Sequence, residues 1–414
     1  MVHMDGEDDH LDPRRHRHIG HWWLVLLAVL LGAGAVVAGY QILQPSKPTA
    51  SVTQGVPNKA TTTQYLPPSE SVSGRYLLNG TVTWARAVEL EAHGDYTQPF
   101  SQLSTFNREQ YDAWSTDFEC PITNNVVPYQ TQKDNLVFNC RPEFLPAASK
   151  YFNIFDLANN HTDNQGGEKG LAETRQHLQA AGVQYFGTFD PADSAHVCEV
   201  LALPVRVEKS DKTEEKASLP VAFCGWHYFY RRPLPGEIAV MDKYAKVMPV
   251  FAFAEMGAEY HATADATQVD MAHQIVDHGP DFLIANNPHW VQNTEAYNGK
   301  LIVYSTGNFI FDQLDQETNR SASIDVKMTV PYDANVAKWV ALAPQCAAFQ
   351  DNCLAQAEQQ GLTKVKASLQ YGVVAGLNGY KVITHKADDA TQAAVLQRMN
   401  WPQTCAKLVG SSCQ

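Results

Sequence analysis

Carboxylate, amide and imidazole side chains recur in this chain where short apolar runs end. The residues concerned are Asp117 and Glu119 in DFECP, Asn159, Asn160, His161 and Asp163 in DLANNHTDNQG, Glu255, Glu259 and His261 in AEMGAEYH, and Asn286, Asn287 and His289 in ANNPHW. Such oxygen and nitrogen donors hold divalent cations that activate water for phosphoester chemistry. Taken singly, an NNH after a strand is more often a capped turn, and a lone glutamate is more often a solvated charge. Recurrence at successive strand ends favours one site, because α/β sheets bind ligands at the carboxyl ends of their strands.

The apolar runs predict strands that alternate with helices, which indicates an α/β domain. Strands are predicted in RYLLNGTVT, DAWSTDFE, FNIFDLAN, VQYFGTF, VMPVFAFA, DFLIANN and KLIVYSTGNFIF. Apolar residues at helical spacing predict helices over Gly170–Ala181 and Thr267–His278. The pair Asn298-Gly299 predicts a tight hairpin, so the sheet should also contain antiparallel strands.

The sequence becomes less regular after about residue 321. IDVKMTV and YGVVAGL there are strand-like, and Asp389–Met399 has a helical pattern. We interpret residues 321–414 as a cysteine-containing elaboration of the domain that precedes them.

Composition excludes several classes of function. The 414 residues include 31 Lys and Arg against 44 Asp and Glu, a formal net charge of −13. Because phosphate binding needs a basic surface, nucleic acid is not expected as a partner. The chain also lacks the G-x-S-x-G turn of a serine hydrolase and the glycine-rich P-loop that cradles phosphates.

The eight cysteines predict disulfides. No C-x-x-C pair is present, which argues against a zinc ribbon or a thioredoxin-like motif. Neighbourhood in the sequence pairs them as Cys120–Cys140, Cys198–Cys224, Cys346–Cys353 and Cys405–Cys413. The second pair is supported by the runs VLALPVRV and LPVAF, which read as a hairpin with the two cysteines opposed near its open end. The alternative is eight buried free thiols.

An uncharged apolar stretch, Trp22–Leu43, predicts a membrane helix, since about 20 residues cross the hydrocarbon layer. Arg14, Arg15 and Arg17 precede it, so the positive-inside rule predicts residues 1–20 in the cytoplasm, a transmembrane anchor at 21–43 and the rest outside. Residues 44–75, rich in Pro, Ser and Thr, predict a disordered linker. A cleavable signal peptide is the alternative to the anchor.

Four segments together follow the pattern of a known family. LLNGTVTWAR resembles its G-D-x-x-x-x-R strand, STDFECPIT its N-L-E-x-P-I-T, ANNHTDNQGGEKGLAET its A-N-N-H…D-x-G-x-x-G-L…T, and NPHWVQNTEAYNGKLIVYSTGNFIFDQ its P-H-V-V-Q…G-N-F-I-F-D-Q segment. The family is CapA, the capsule-synthesis proteins of the metallophosphatase superfamily, some of which are associated with poly-γ-glutamate. The resemblance implies a calcineurin-like, four-layer β-sandwich flanked by helices over residues 76–320.

The resemblance also implies roles for individual residues. Glu119 matches the family's bridging carboxylate and Asn160 its amide ligand. His161 matches the histidine that would protonate the leaving group or steady the transition state. His289 matches the last imidazole ligand, and Arg86 the arginine after the first strand, which is suited to contact an anion. A further asparagine, Asn308, falls in the family's late loop and is expected beside the substrate.

This chain departs from the family's pattern at several ligand positions. Thr81 stands where the family has its first aspartate, and Glu255 where it has a histidine. Asn286 and Asn287 replace two histidines, which leaves them as candidate substrate contacts with weak carbonyl oxygens. Asn164 replaces an aspartate in the loop after the NNH motif. The remaining set predicts one oxygen-preferring cation such as Mn²⁺, Mg²⁺ or Ca²⁺, or none.

Two functions follow as expectations. The depleted ligand set favours a degenerate site that binds a capsule or cell-envelope polymer, or organises the complex that makes it. The alternative is an active metal-dependent hydrolase or transferase acting on a phosphoester or amide of such a polymer. Five aromatic residues near the presumed site could stack on a sugar or peptide polymer, or belong to the core. They are Trp84, Trp114, Trp226, Tyr228 and Trp290.

Overall fold

The computed structural model describes residues 70–190, 193–209, 211–348 and 350–414. The expected cytoplasmic tail, the anchor at 21–43 and most of the linker therefore lie outside the described residues. Within them, no helix combines the length and the apolar character that crossing a bilayer requires. The linker was predicted to reach residue 75, but the first strand already begins at Ser71. The difference arises because this short polar segment pairs with strands from both sides.

Fifteen strands are found among the described residues. They are β1 (Ser71–Val82), β2 (Ala113–Phe118), β3 (Ile154–Asp156), β4 (Gln184–Phe186), β5 (Cys198–Glu208), β6 (Glu214–His227), β7 (Val250–Glu255), β8 (Phe282–Asn286), β9 (Thr294–Tyr297), β10 (Lys300–Val303), β11 (Asn308–Ile310), β12 (Arg320–Pro331), β13 (Ser368–Asn378), β14 (Thr384–Lys386) and β15 (Ser411–Cys413). All the predicted strands are present, although KLIVYSTGNFIF forms two, β10 and β11, instead of one.

The α-helices cover all three predicted segments and others besides. They are α1 (Arg86–Ala92), α2 (Tyr129–Asn135), α3 (Leu145–Ala148), α4 (Glu168–Ala180), α5 (Ser194–Val197), α6 (Asp242–Ala245), α7 (Ala266–Asp277), α8 (Ala334–Ala348), α9 (Gln350–Gln359), α10 (Asp389–Arg398) and α11 (Trp401–Cys405). The helix α7 starts where the Asp265 side chain caps the backbone N–H of Gln268. The helices α8 and α9 lie in a part of the chain that we expected to be irregular.

Strand β1 is the branch point of the sheet. On one edge its first residues pair with β5 and its later residues with β2; on the other edge it pairs with β12 and then β11. One arm continues through β5, β6, β7, β8, β10 and β9, and another through β2, β3 and β4. The backbones pack closely where β1 meets β11: a side chain at Gly80 would lie 2.0 Å from the carbonyl oxygen of Gly307.

The two arms enclose separate apolar clusters. The larger cluster lies around β5 to β8 and includes Trp226, Phe251 and Trp339. The smaller lies around β2 and β3 and includes Trp84 and Trp114. The fold is therefore mixed α/β, as predicted. Four of the five aromatic residues considered above are core, and the fifth, Trp290, is half-buried.

All four predicted cysteine pairs form disulfides. Cys198 lies opposite Cys224 in the antiparallel β5–β6 ladder, as the hairpin interpretation predicted. The Cα atoms of that pair are 4.0 Å apart. The C-terminal part is joined to the rest of the sheet, because β12 pairs with β1 on one side and β13 on the other.

Candidate functional site

Parallel pairing places the predicted polar residues in two rows at the carboxyl ends of the strands. Across β1, β2 and β3, Thr81 is in register with Asp117, which is in register with Asp156. Across β7 and β8, Glu255 is in register with Asn286. All five side chains are buried.

The two rows face each other. A side chain on Gly225, in β6, would lie 2.6 Å from the Asp156 carboxylate, so the close approach of the arms requires glycine there. The backbone N–H of Asn160 donates to Glu255 Oε2 at 2.6 Å and so bridges the two arms. Burial, followed by the charge of Asp117, raises the pKa values of both Asp156 and Glu255 well above their usual range.

Asp117 has both carboxylate oxygens occupied by neutral donors. The Thr81 hydroxyl donates to Oδ2 at 2.7 Å, and the Asn159 amide donates to Oδ1 at 3.1 Å. Burial raises the pKa of Asp117 to about 6, although these two bonds and the nearby His289 favour its charged form. The oxygens are thus directed at protein hydrogens instead of at a shared cation position.

Glu119 lies between the two predicted histidines. His161 Nε2 is 3.6 Å from Glu119 Oε1. Burial raises the pKa of Glu119 to about 8, an effect that His289 and Arg86 oppose and that Asp117 reinforces. The raised pKa shifts Glu119 toward its protonated form.

His161 is held in one tautomer by Asn164. Asn164 Oδ1 accepts from the backbone N–H of Phe138 and from His161 Nδ1, both at 2.8 Å, so it is Nδ1 that carries the proton. The imidazole also stacks on the Phe138 ring, with centroids 3.9 Å apart. Burial lowers the pKa of His161 to about 4, which leaves Nε2 as an unprotonated acceptor facing Glu119.

His289 is fixed by Asn308, whose Oδ1 lies 2.8 Å from Nδ1. Its Nε2 lies 3.6 Å from Glu259 Oε1, and Glu259 is the more exposed member of the pair. Burial lowers the pKa of His289, but the negative charge of Glu119 and the contacts with Glu259 and Asn308 outweigh it, so the pKa lies above its usual value. Glu259, His261 and Asp163 were all sequence candidates, and of these the structure brings Glu259 to His289.

The remaining predicted residues are engaged mainly with the protein. Asn286 accepts from the Thr306 side chain and backbone. Asn287 donates to the carbonyl oxygen of Gly257 at 2.6 Å. Asn160 differs from these, because its side-chain oxygen is buried and has no hydrogen-bond partner.

Arg86 lies beside the site but is paired with Asp312. Its guanidinium group packs over the rings of Phe138, at 4.4 Å, and Phe311, at 5.1 Å. Its Nε is buried without a partner. Asp312 therefore already neutralises part of the positive charge that Arg86 would offer to an anion.

Sequence reasoning missed Asp156 as a member of the site. The signal was present, because Asp156 is the last residue of β3 and precedes the LANNH segment directly. It also missed Phe138, which no pattern connects with the histidine on which it stacks. With these members included, the described residues contain no group of three or more His, Cys, Asp or Glu side chains arranged to hold a metal ion. Asp117, Asp156 and Glu255 instead accept hydrogen bonds from separate protein donors.

Comparisons with known proteins agree on one family. Residues 75–313, more than half of the chain, match the family model described as bacterial capsule synthesis protein PGA_cap. The capsule biosynthesis protein CapA of Bacillus anthracis is 25% identical over 229 residues, 51% of this chain and 54% of that protein. The PGA biosynthesis protein CapA of Bacillus subtilis strain 168 is 34% identical over 245 residues, 55% of this chain and 59% of that protein. The matches thus span little more than half the length of these relatives.

Among solved structures, TT1561 of Thermus thermophilus has a TM-score of 0.33 and 9% identity. The match covers 60% of this chain and 93% of that one. A likeness this weak supports no inference about function.

Proposed function

This chain belongs to the bacterial capsule synthesis family PGA_cap, within the metallophosphatase-like superfamily, and on that premise we propose that it binds a capsule or cell-envelope polymer, or organises the complex that makes it. In this proposal the centre around Glu119, Asn160, His161 and His289 does not work as a two-metal hydrolase. The degenerate site takes one divalent cation at most.

The observation that carries this proposal is the environment of Asp117. A dinuclear centre needs carboxylate oxygens that face the cations, yet Thr81 and Asn159 donate to both oxygens of Asp117. The residue at position 81 is itself a neutral hydroxyl, which supplies a proton where the resemblance implies an anionic ligand. The residues present do not fit two ions.

The state of the expected general acid supports the same proposal. An acid must hold a proton on the nitrogen that faces the substrate. His161 keeps its proton on Nδ1, against Asn164, and its low pKa leaves Nε2 bare at neutral pH. The raised pKa of the neighbouring Glu119 favours its protonated form instead.

One observation favours the alternative, an active metal-dependent hydrolase or transferase acting on a phosphoester or amide of the polymer. The Asn160 side-chain oxygen is buried without a partner, which suits a ligand to a single oxygen-preferring cation. Together with Glu119 and His289 it would hold such an ion, which would supply Lewis acidity.

The proposal includes the location of the protein and the details of its fold. Residues 21–43 anchor it in the membrane as a single helix, with residues 1–20 in the cytoplasm and the domain outside. Four disulfides support this location, because they persist in oxidising compartments. The two sheet arms that meet at β1 support a calcineurin-like, four-layer sandwich over residues 76–320, with residues 321–414 as its C-terminal elaboration.

Elemental analysis of the full-length chain, purified with Mn²⁺ present, tests the proposal. We expect at most one metal ion per chain and no metal-dependent hydrolysis of bis(p-nitrophenyl) phosphate. Two ions per chain would contradict it. So would turnover that Glu119→Gln or His161→Ala abolishes and that an exposed control, Glu214→Gln, leaves unchanged.

A further inference from the structure

A cleft lined partly by the segment that follows β7 lies beside the candidate site. It has a volume of about 360 Å³ and is lined by residues from three places in the chain. Tyr228, Tyr230 and two arginines come from the segment after β6, Gly257 and Ala258 from the segment after β7, and Asp265, Thr267, Gln268 and Met271 from the start of α7. Of these residues, Tyr228 was considered above as an aromatic near the site and Gly257 as the acceptor of the Asn287 hydrogen bond.

Besides the Nε of Arg231, two buried polar atoms of the cleft lining have no hydrogen-bond partner. The Tyr228 hydroxyl is buried and makes no hydrogen bond, and the same holds for the Gln268 side-chain oxygen. The Gln268 amide nitrogen donates to the carbonyl oxygens of Met256 and Tyr304, which fixes the orientation of the amide and leaves its oxygen as the free atom. Unsatisfied buried polar groups are costly, so the Tyr228 hydroxyl and the Gln268 oxygen favour a ligand that accepts from the first and donates to the second.

The charges of the cleft are already paired. Arg231 forms a two-pronged contact with Glu237, at 2.7 and 3.0 Å. Arg232 lies 2.6 Å from Asp270. Asp265 adds a further negative charge at the start of α7. A polyanion would gain little here, because Glu237 already holds both terminal nitrogens of Arg231 and Asp270 already pairs with Arg232.

The rim and floor of the cleft are apolar. The Tyr230 side chain is 87% exposed, and its ring lies against Phe229 with centroids 3.8 Å apart. Met271 is buried in the lining. An exposed aromatic face beside hydrogen-bonding groups suits a molecule with one apolar and one hydroxylated face, which is the character of a sugar ring.

The cleft is joined directly to the candidate site. The backbone N–H of Tyr228 donates to the carbonyl oxygen of Glu255 at 2.8 Å. Asn287 donates to the carbonyl oxygen of Gly257, in the cleft wall. A chain bound in the cleft is therefore held near Glu255 and Asn287 of the candidate site.

We propose that this cleft binds a neutral glycosyl unit of an envelope polymer. The sugar ring stacks on Tyr230, and hydroxyl groups accept from Tyr228 Oη and donate to Gln268 Oε1. A hydroxyl group suits both atoms, since it is a donor and an acceptor at once. The biological role of this binding rests on the proposed function, but the binding itself does not.

Calorimetric titration of the full-length chain with tetra-N-acetylchitotetraose and with maltotetraose tests the inference. We expect millimolar or tighter binding of at least one of these neutral glycans. Tyr230→Ala should weaken it about tenfold through lost stacking. Tyr228→Phe, which removes only the hydroxyl, should weaken it about fivefold. Tyr230→Phe keeps the ring and should retain most of the affinity.

The matched control is Tyr380→Ala, because Tyr380 is 84% exposed and is not part of the cleft lining; it should leave affinity unchanged. The inference is overturned if neither glycan binds, or if Tyr230→Ala and Tyr228→Phe bind as tightly as wild type. Binding of polyglutamate at this cleft in preference to both glycans would also overturn it. The metal stoichiometry that tests the proposed function is measured without glycan, so a failure here and a failure of the proposed function are distinguishable.

Discussion

The segment after β7 contributes to two regions that neutralise their carboxylates in different ways. In the centre around Glu119, the buried carboxylates of Asp117 and Glu255 receive hydrogen bonds from a hydroxyl, an amide and a backbone N–H. In the cleft, Glu237 and Asp270 each face an arginine. The first region holds charges that burial disfavours, and the second holds ion pairs.

This difference predicts a different kind of ligand for each region. Carboxyl groups without cationic partners take up protons or a cation, because either one relieves the cost of burying negative charge. Ion pairs that are already complete gain nothing from a further charge. The cleft must therefore recognise its ligand through neutral hydrogen bonds and ring contacts.

The largest effect should come from breaking an ion pair in the cleft. Glu237 is almost fully buried and accepts from Arg231 and from the backbone N–H of Leu234. Glu237→Gln leaves the guanidinium group with a neutral partner. Because Arg231 is partly exposed, we expect a loss of about 2–3 kcal/mol in the free energy of unfolding, below the full cost for a buried pair. Urea denaturation measures it, and an unchanged midpoint would contradict the pairing.

Removing a buried negative charge from the centre around Glu119 should instead increase the free energy of unfolding. The pKa of Glu119 is raised to about 8 in the folded protein, so the stability linked to its protonation is lost as pH rises through 8. Lowering the pH from 8 to 6.5 should stabilise the wild type by about 1.5–2 kcal/mol. This range lies above pH 6.5, where protonation of His161 in the unfolded state would begin to oppose the trend.

Glu119→Gln should remove the part of that slope that Glu119 contributes, while Asp156, Glu255 and His289 keep theirs, and it should stabilise the protein at pH 8. Thermal unfolding at a series of pH values, without divalent cations, measures both effects. Glu214→Gln, at an exposed position, is the control and should keep the wild-type slope. Parallel pH profiles for wild type and Glu119→Gln would show that this carboxyl group is not desolvated.

Asn164→Asp should have a smaller effect on stability, and its main effect should be on the pKa of His161. A carboxylate that accepts from His161 Nδ1 favours the imidazolium form, so the pKa of His161 should rise from about 4 toward its ordinary range. NMR titration of the imidazole measures it, and the free energy of unfolding should change by under about 1 kcal/mol. An unchanged titration would mean that burial, rather than this contact, sets the pKa alone.

The structure brings together several residues that the sequence predicted for the site, and it shows pKa shifts that the sequence did not predict. Apolar runs identified the strands, and parallel pairing brings their ends together, so Glu119, His161 and His289 were found from pattern and family resemblance. The burial that moves their pKa values depends on how two sheet arms pack, and no local pattern encodes that packing. Asp156 illustrates the limit, because only its approach to Gly225 makes it part of the site.

The fold likewise has features that the sequence predicted and features that it did not. The register of Cys198 with Cys224 followed from two adjacent apolar runs. The break within KLIVYSTGNFIF did not, because it depends on Gly307, with φ of +69°, and on its close approach to Gly80 in a distant strand. The helices α8 and α9 were missed as well, since Pro344 lies inside the first of them and obscures the helical pattern.

The most direct test of the account is Mn²⁺ binding by the wild type and by Thr81→Asp, measured by calorimetry on the full-length chain. In our proposal, the neutral hydroxyl at position 81 donates to Asp117 and keeps it turned away from a cation. We therefore expect at most one weakly bound ion in the wild type. Thr81→Asp should bind Mn²⁺ at least about tenfold more tightly, because a carboxylate there adds an anionic ligand. Two Mn²⁺ ions bound to the wild type, with Thr81→Asp making no difference, would contradict it.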